Sequence, residues 1–354
     1  MRRYVALLLF AGLLTGILYV TDAEETVRIG YFHGGRTYLL YRAYIGGYFE
    51  KEGLDVQLIT RNGSGNIVRV PKEYETIRLE HDFGKITGLE LLELLKKGEL
   101  DGATVGEGSF IKAVADGMPI VAVALLGHDT REAPAHAMVF RTDTNIVSLA
   151  DIAGKKLASR RGGPTEAIVL REFLQSINMP PSEVTIQDQI DEDELRKALR
   201  KGSIDGAYMH LQSIEELIEM DHAPIYVYRT LDWVDPEISS GTLVFHNDFV
   251  RAHPERVERI VRAYMDRIAF EGALSQEERM RDPDKGFQDG LQMEKNYLKM
   301  NLPQYDLPPL VSLENLEKVR ELLLEHGVIS RRVALANFVD NSFVEALYKD
   351  PQQH

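Results

Sequence analysis

The chain has 354 residues, enough for two domains of ordinary size, and its 44% hydrophobic and 27% charged residues are typical of a soluble globular protein. Its formal net charge of −14 argues against nucleic acid or an anionic membrane surface as a partner. The absence of cysteine excludes disulfides, cysteine-ligated zinc, thiol catalysis and a lipid-anchored export signal.

Residues 1–23 have the features of a secretory signal peptide. A basic start at residues 1–3 precedes an apolar stretch at 4–20, and small residues favour cleavage after Ala23. Because about 20 apolar residues span a bilayer, an uncleaved membrane anchor is the alternative. Export to the periplasm is expected in both cases.

The first part of the mature chain alternates strand-like and helical patterns. A buried strand at 27–32 leads into a Gly-Gly turn at 33–37, and an apolar stripe then predicts one helix from about 37 to 52. A second strand at 54–60 ends in a polar turn at 61–66.

An insert at about 61–84 comes next, and its alternating apolar residues predict a pair of β-strands. Thr87 and Glu90 form the capping box of a helix that runs to Lys97. The further predicted elements are a strand at 102–105, a turn at 106–109, a short helix at 110–116, a strand at 119–126, and amphipathic helices at 256–271 and 313–326.

Two pairs of similar stretches indicate a duplicated unit. Residues 95–103 and 199–207 are identical at six of nine positions, and each pattern is typical of a helix end, a glycine stop and a strand start. Residues 33–37 match 161–165, and the same offset aligns the strands that follow. The chain therefore contains two β-α-β-α-β units, with the insert in the first, and two such units facing each other would form a cleft.

Two similar strands, 137–141 and 241–246, bracket the second unit and are predicted to be the crossings between two lobes. Hinge motion is expected at 142–148 and 231–240. The predicted lobes are 24–146 together with 237–354 for the first, and 147–236 for the second.

In an open α/β sheet, ligands bind beyond the carboxyl ends of the strands, where helix N-termini also present unpaired N–H groups. Glycine turns there would let a ligand approach the backbone, although glycines also form tight turns without any ligand. Neither Gly-Gly turn matches a nucleotide-binding pattern. The candidate ligand-binding residues are His33, Gly34, Gly35, Arg36, Thr37, Asn62, Glu107, Gly108, Ser109, Arg160, Arg161, Gly163, Thr165, Tyr208 and His210.

These side chains favour two classes of ligand. The arginines would suit an anionic group such as a sulfonate or carboxylate, unless Arg160 and Arg161 form a solvated surface pair. Glu107 and Tyr208 would suit a pyrimidine-like heterocycle, although a solvated loop acid and a core tyrosine are the alternatives. The hydroxyl residues can equally be helix caps.

Most of the mature chain resembles the solute-binding proteins for alkanesulfonates, taurine and thiamine-type pyrimidine precursors. The resemblance implies an α/β periplasmic-binding-protein fold of type II, with two lobes, a ligand cleft and two crossover strands. It also implies capture of a small molecule and its delivery to an ABC-type permease in the inner membrane. The protein is expected to be a monomer. The stretches that carry it are VRIGYF at 27–32, YRAYIGGYFEKEGLDVQLI at 41–59, LLKKGELDGATVG at 94–106, AVADGMPIVAVALLG at 113–127, IVSLADIAGKKLASRRGGPTEAIVLREFL at 146–174, NDFVRAHPERVERIVRAYM at 247–265 and LLLEHGVISRRVALANFVDNSFVEAL at 322–347.

Two other functions compete with transport. A membrane-tethered ligand-sensing domain is favoured if residues 1–23 stay attached. An enzyme of the related pyrimidine-synthase branch is disfavoured, because that branch has a cysteine-rich iron-binding motif and this chain has no cysteine. The sequence also lacks the common hydrolase and metalloprotease motifs, and its ten histidines show no metal-ligand spacing, so neither a cofactor nor a bound metal is expected.

Overall fold

The computed structural model describes residues 25–32, 35–62, 64–72, 86–130, 136–166, 168–210, 213–214, 217–218, 225–228, 240–274 and 304–349. The predicted signal peptide, the turn residues His33 and Gly34, and most of the hinge at 231–240 lie outside these ranges. Within the described part, no helix is both long enough and apolar enough to cross a membrane.

Two separate β-sheets form the centres of two lobes. The strands are β1 Glu25–Gly30, β2 Leu54–Arg61, β3 Ile67–Arg69, β4 Gly102–Gly106, β5 Ile120–His128, β6 His136–Arg141, β7 Lys156–Arg160, β8 Thr185–Ile190, β9 Gly206–His210, β10 Ile225–Tyr228 and β11 Ser240–His246. The first sheet has the order β3-β2-β1-β4-β11-β5 and the second has the order β10-β6-β9-β7-β8.

Helices cover both sheets. They are α1 Tyr38–Ile45, α2 Tyr48–Lys51, α3 Gly88–Lys96, α4 Glu107–Ala115, α5 Val169–Ser176, α6 Glu192–Lys201, α7 Asn247–Ala252, α8 Pro254–Ala273, α9 Leu313–Glu325 and α10 Ser342–Tyr348. Two apolar clusters flank the first sheet and two smaller ones flank the second, so each lobe has its own core.

The two lobes repeat one strand arrangement. In the first, β1 pairs in parallel with β2 and β4, and β11 pairs antiparallel with β4 and β5. In the second, β7 pairs in parallel with β8 and β9, and β6 pairs antiparallel with β9 and β10. The duplication predicted from the sequence is therefore confirmed at the level of strand order and direction.

The nine-residue repeat is a structural anchor. The Asp101 carboxylate accepts a hydrogen bond of 2.8 Å from the backbone N–H of Arg28, and Asp205 accepts one of 2.8 Å from Lys156. In both copies the preceding glycine has a positive φ, 73° at Gly98 and 69° at Gly202. This conformation favours glycine and ends the helix. The aspartate then fixes the following strand beside β1 in the first lobe and beside β7 in the second.

The glycine after each of these aspartates makes room for an aromatic ring. A Cβ at Gly102 would lie 2.6 Å from the Phe245 ring, and one at Gly206 would lie 2.5 Å from the Phe140 ring. Phe245 and Phe140 are the register partners of these glycines on β11 and β6. The similarity of the two strands in the sequence thus reflects one packing arrangement used twice.

We expect the substitution Gly206→Ala to lower the free energy of unfolding by about 1–3 kcal/mol, because the new methyl group overpacks the core. It would contact both the Phe140 ring and, at 2.9 Å, the Val139 carbonyl oxygen. Gly272→Ala is the matched control, since a Cβ there meets no atom within 4 Å and should be neutral or stabilise the helix. Urea unfolding curves for both variants test this; equal midpoints would contradict it.

The predicted lobe boundary at 146 needs correction, because β6 pairs in the second sheet rather than the first. The chain therefore reaches the second lobe by His136, and the predicted hinge at 142–148 lies beyond β6. The sequence showed two similar strands, but pairing partners decide to which lobe each belongs. β11, in contrast, lies in the first lobe as predicted.

Three predicted elements differ in their bounds. The helix predicted at 37–52 is broken into α1 and α2, because Gly47 adopts a left-handed conformation with φ 72°. The turn predicted at 106–109 is the first turn of α4, which begins at Glu107. The insert contains one described strand, β3, antiparallel to β2, whereas residues 73–85 lie outside the described part.

Candidate functional site

The two lobes touch each other where the carboxyl ends of their strands meet. A Cβ at Gly108 on α4 would lie 3.1 Å from the backbone nitrogen of Thr165, and one at Gly163 would lie 3.1 Å from the Ser109 hydroxyl. A side chain at either glycine would press against the opposite lobe. The structure is therefore a closed form of the cleft.

Glu107 lies at the centre of this contact, on the first turn of α4. Its carboxylate accepts hydrogen bonds from the Ser240 backbone N–H at 3.0 Å and from the Thr165 hydroxyl at 3.1 Å. It also faces Arg36 at 3.7 Å and is only 2% exposed. Burial raises the pKa of Glu107, and the nearby positive charge of Arg36 offsets only part of that effect.

Arg36 and Asp129 form a buried ion pair on the first-lobe side. Two guanidinium nitrogens donate to the two Asp129 oxygens at 3.1 and 3.2 Å, the bidentate geometry that favours arginine. Gly127 permits the approach, because a Cβ there would lie 2.9 Å from the Arg36 Cα. Burial alone would raise the pKa of Asp129, but Arg36 and the neighbouring His136 outweigh it and hold that pKa well below its usual range.

An aromatic cluster lines the second-lobe side. The ring of His136 stacks on Tyr208 with centroids 5.2 Å apart and lies 4.2 Å from the ring of His210. Burial lowers the pKa of His136 to about 4 and lowers that of His210 well below its usual value. Both imidazoles are therefore neutral at pH 7, despite the carboxylate of Asp129 at 3.9 Å from His136.

Arg160 connects this cluster to the second Gly-Gly turn. Its Nη1 donates to Glu166 Oε1 at 2.8 Å and lies 3.5 Å from the Nε2 of His136. Its Nε lies 3.7 Å from Glu192. Burial alone would raise the pKa of Glu192, but the charge of Arg160 and the hydrogen bond from the His210 backbone N–H together outweigh it and lower that pKa.

The polar contacts close into a ring that passes through both lobes. Successive members lie between 2.8 and 3.9 Å apart. We call the set the interlobe ring; its members are Arg36, Asp129, His136, Arg160, Glu166, Thr165 and Glu107.

The structure brings most of the predicted site residues together. Of the candidates, Arg36, Glu107, Gly108, Ser109, Arg160, Gly163, Thr165, Tyr208 and His210 lie at this contact. Their roles as ligand contacts stay a prediction. Arg160 and Arg161 do not form a solvated surface pair, because Arg160 is largely buried against Glu166 and only Arg161 is exposed.

Three candidates lie elsewhere or bond locally. Arg161 has a side chain 43% exposed and pairs with Asp191 at 3.5 Å, so it lies at the rim. The Asn62 side chain accepts N–H groups of its own turn, and the Thr37 hydroxyl donates to the Phe32 carbonyl at 2.8 Å. The remaining described candidate, Gly35, begins a short 3-10 turn directly before α1.

Three ring members were absent from the sequence-based candidates. Asp129 directly follows β5, His136 begins β6, and Glu166 follows the second Gly-Gly turn. Position at a strand end was the available signal for Asp129 and His136. Among the described residues, no group of three histidine, aspartate or glutamate side chains is placed to hold a metal ion.

Comparisons with known proteins give a family match and several structural neighbours. The model of the family described as NMT1/THI5 like matches residues 87–270, more than half of the chain. No curated protein matches this chain. The periplasmic aliphatic sulphonate binding protein SsuA from Escherichia coli has a TM-score of 0.63 at 15% identity, covering 91% of this chain and all of that one.

Two further structural neighbours are a component of an import system and an enzyme. The ligand-binding component of an ABC-type import system from Staphylococcus aureus, solved with zinc bound, has a TM-score of 0.62 at 14% identity, covering 94% and 100% of the two chains. The desulfurization enzyme DSZB has a TM-score of 0.55 at 12% identity, covering 91% and 98%. At such identities the likeness shows the fold alone, and it confirms the predicted two-lobed periplasmic-binding-protein fold.

Proposed function

The chain belongs to the NMT1/THI5-like family, and from this premise we propose that it is an extracytoplasmic solute-binding protein. It captures a small organic molecule between its lobes and delivers it to an ABC transporter. The observation that carries the proposal is the interlobe ring, because its contact between the Glu107 carboxylate and the Thr165 hydroxyl joins the two lobes and forms only when the cleft is closed. A ligand that adds contacts to both sides would favour the closed form.

The ring geometry favours binding over catalysis. His136 lies near a carboxylate, as a catalytic histidine does, but its other nitrogen faces the Arg160 guanidinium rather than a hydroxyl or thiol nucleophile. The neighbouring desulfurization enzyme was also solved in a cysteine-to-serine form with biphenyl-2-sulfinic acid, whereas this chain has no cysteine. The pyrimidine-synthase alternative gains no support from these residues.

Of the two ligand classes that the sequence left open, the cleft favours a nitrogen heterocycle of the thiamine-pyrimidine type over a sulfonate, taurine or a carboxylate. Arg36 and Arg160, the central cations, are each paired with a carboxylate, and both histidines are neutral. Glu107 offers an acceptor to an amino group, and the aromatic cluster offers a ring to stack on.

The ligand class is testable by thermal shift on the exported form of the protein. An amino-substituted pyrimidine is expected to raise the melting temperature, because a ligand at 100 times its Kd adds about 2.7 kcal/mol to stability. Taurine, alkanesulfonates, simple carboxylates and nitrate form the comparison panel. Glu107→Gln keeps the side-chain volume and should remove most of the pyrimidine response; a panel with no response at all would reject the binding role.

The proposed location is the periplasm, with the protein either free or held by residues 1–23. Sequencing the N-terminus of the exported protein separates these forms. A start after Ala23 supports a free shuttle, and an intact Met1 supports the tethered alternative.

A further inference from the structure

The second Gly-Gly turn is filled by a side chain of the protein itself. Glu166 folds back over the turn, and a Cβ at Gly162 would lie only 2.5 Å from its carboxylate carbon. At Gly163 a Cβ would lie 3.3 Å from Glu166 Oε2. The space over these glycines, where a ligand was expected, is thus occupied by the carboxylate of Glu166.

The contacts of this carboxylate are those of a bound anion. Oε1 accepts the Arg160 Nη1–H at 2.8 Å, and Oε2 lies 3.3 Å from the Thr165 hydroxyl, whose single proton can go either to Glu166 or to Glu107. Both members of the ion pair are largely buried, with side-chain exposures of 18% for Arg160 and 14% for Glu166. A guanidinium and a hydroxyl converging on two oxygens would bind an external carboxylate or sulfonate in the same manner.

The same turn also has donors that Glu166 does not use. Among the described residues, Arg160 Nε and Gln189 Nε2 are buried and have no hydrogen-bond acceptor. Gln189 is held beside the turn, since its Oε1 accepts the Gly162 N–H at 3.3 Å. Buried donors of this kind are normally satisfied, so this surface presents more donors than one carboxylate can occupy.

We propose that Glu166 is a built-in anion that sets the specificity of the cleft. It occupies the place beside Arg160 where a sulfonate or carboxylate group would bind, and it thereby excludes anionic ligands from this part of the site. The inference rests on the proposed binding role of the cleft and adds to it the residue that rejects the anionic class.

Removing this carboxylate is expected to create an anion site. Glu166→Ala removes the closest carboxylate from the Arg160 guanidinium, which keeps only Glu192 at 3.7 Å, and it empties the space over the turn. Methanesulfonate and acetate should therefore bind at least about tenfold more tightly than to wild type, a difference of about 1.4 kcal/mol. Glu166→Gln removes the charge but keeps the volume, and it should gain much less. Isothermal titration calorimetry and thermal shift, at ionic strength matched with chloride, give the affinities.

Two controls isolate the effect. Asp188→Ala breaks another arginine–carboxylate pair of the second lobe, Arg171 to Asp188 at 3.0 Å, which includes no member of the interlobe ring, and it should gain no affinity. Arg160→Gln in the Glu166→Ala background should abolish the gain. The inference is overturned if the folded Glu166→Ala variant binds methanesulfonate and acetate no more tightly than wild type does.

The anion affinity of Glu166→Ala and the response of wild type to the thermal-shift panel test two separate proposals. If wild-type protein responds to no compound but Glu166→Ala gains anion affinity, the transport proposal fails and the role of Glu166 stands. If a pyrimidine binds to wild type and Glu166→Ala gains no anion affinity, the transport proposal is supported and the inference about Glu166 fails.

Discussion

Replacing Asp129 with alanine is expected to lower the free energy of unfolding by about 3–5 kcal/mol, the range for breaking a buried ion pair from one side. Asp129 is 4% exposed and receives both guanidinium contacts of Arg36. Its loss removes the bidentate partner from a buried positive charge. The pKa of Asp129 is held low in the folded state, so this stabilisation is complete above the unfolded-state value of about 3.9 and is lost as the pH falls below it.

The measurement is urea unfolding at pH 7, followed by circular dichroism. Asp306→Ala is the matched control, because Asp306 also pairs with a basic side chain, His128 at 3.2 Å, but is 45% exposed. A pair this exposed contributes at most about 1 kcal/mol. Comparable losses in the two variants would mean that the Arg36–Asp129 pair contributes no more than a surface contact does.

The duplication of the β-α-β-α-β unit was predictable because the residues that form its turn and strand start lie within one short stretch. A glycine with positive φ ends the helix, and the next aspartate and glycine fix the following strand, all within nine residues. Assigning β6 to its lobe required the pairing of Phe140 with Gly206, two residues that lie 66 positions apart in the chain. The local sequence contains no information on that pairing, since β11 has the same pattern and lies in the other lobe.

The position of the candidate site could be predicted from the sequence, but the ion pairs and hydrogen bonds within it could not. Strand ends and glycine turns located the cleft, and they identified Glu107 and Arg160. Glu166 and Asp129 were missed because 55 acidic residues offer no local reason to choose these two. Asn62 and Thr37 were included for their polar groups, but short-range hydrogen bonds to their own loops use those groups.

Stability is expected to fall as the pH is lowered from about 6.5 to 4, because His136 is buried in its neutral form. Its pKa is about 4 in the folded protein, whereas an unfolded histidine binds a proton near pH 6.5. Between these values the unfolded state binds more protons, so acid favours unfolding, by about 3 kcal/mol over the whole interval. His210, whose pKa is also lowered, acts in the same direction.

Two substitutions with opposite expected signs test the origin of this dependence. His136→Gln should flatten the plot of unfolding free energy against pH between 6.5 and 4. Glu107 has a raised pKa, so its protonation stabilises the folded state as the pH falls, and Glu107→Gln should steepen the same plot. If both variants kept the wild-type slope, groups outside the interlobe ring would be responsible. Opposite changes would locate the acid sensitivity at the contact between the lobes, where proton uptake and closure of the cleft involve the same buried side chains.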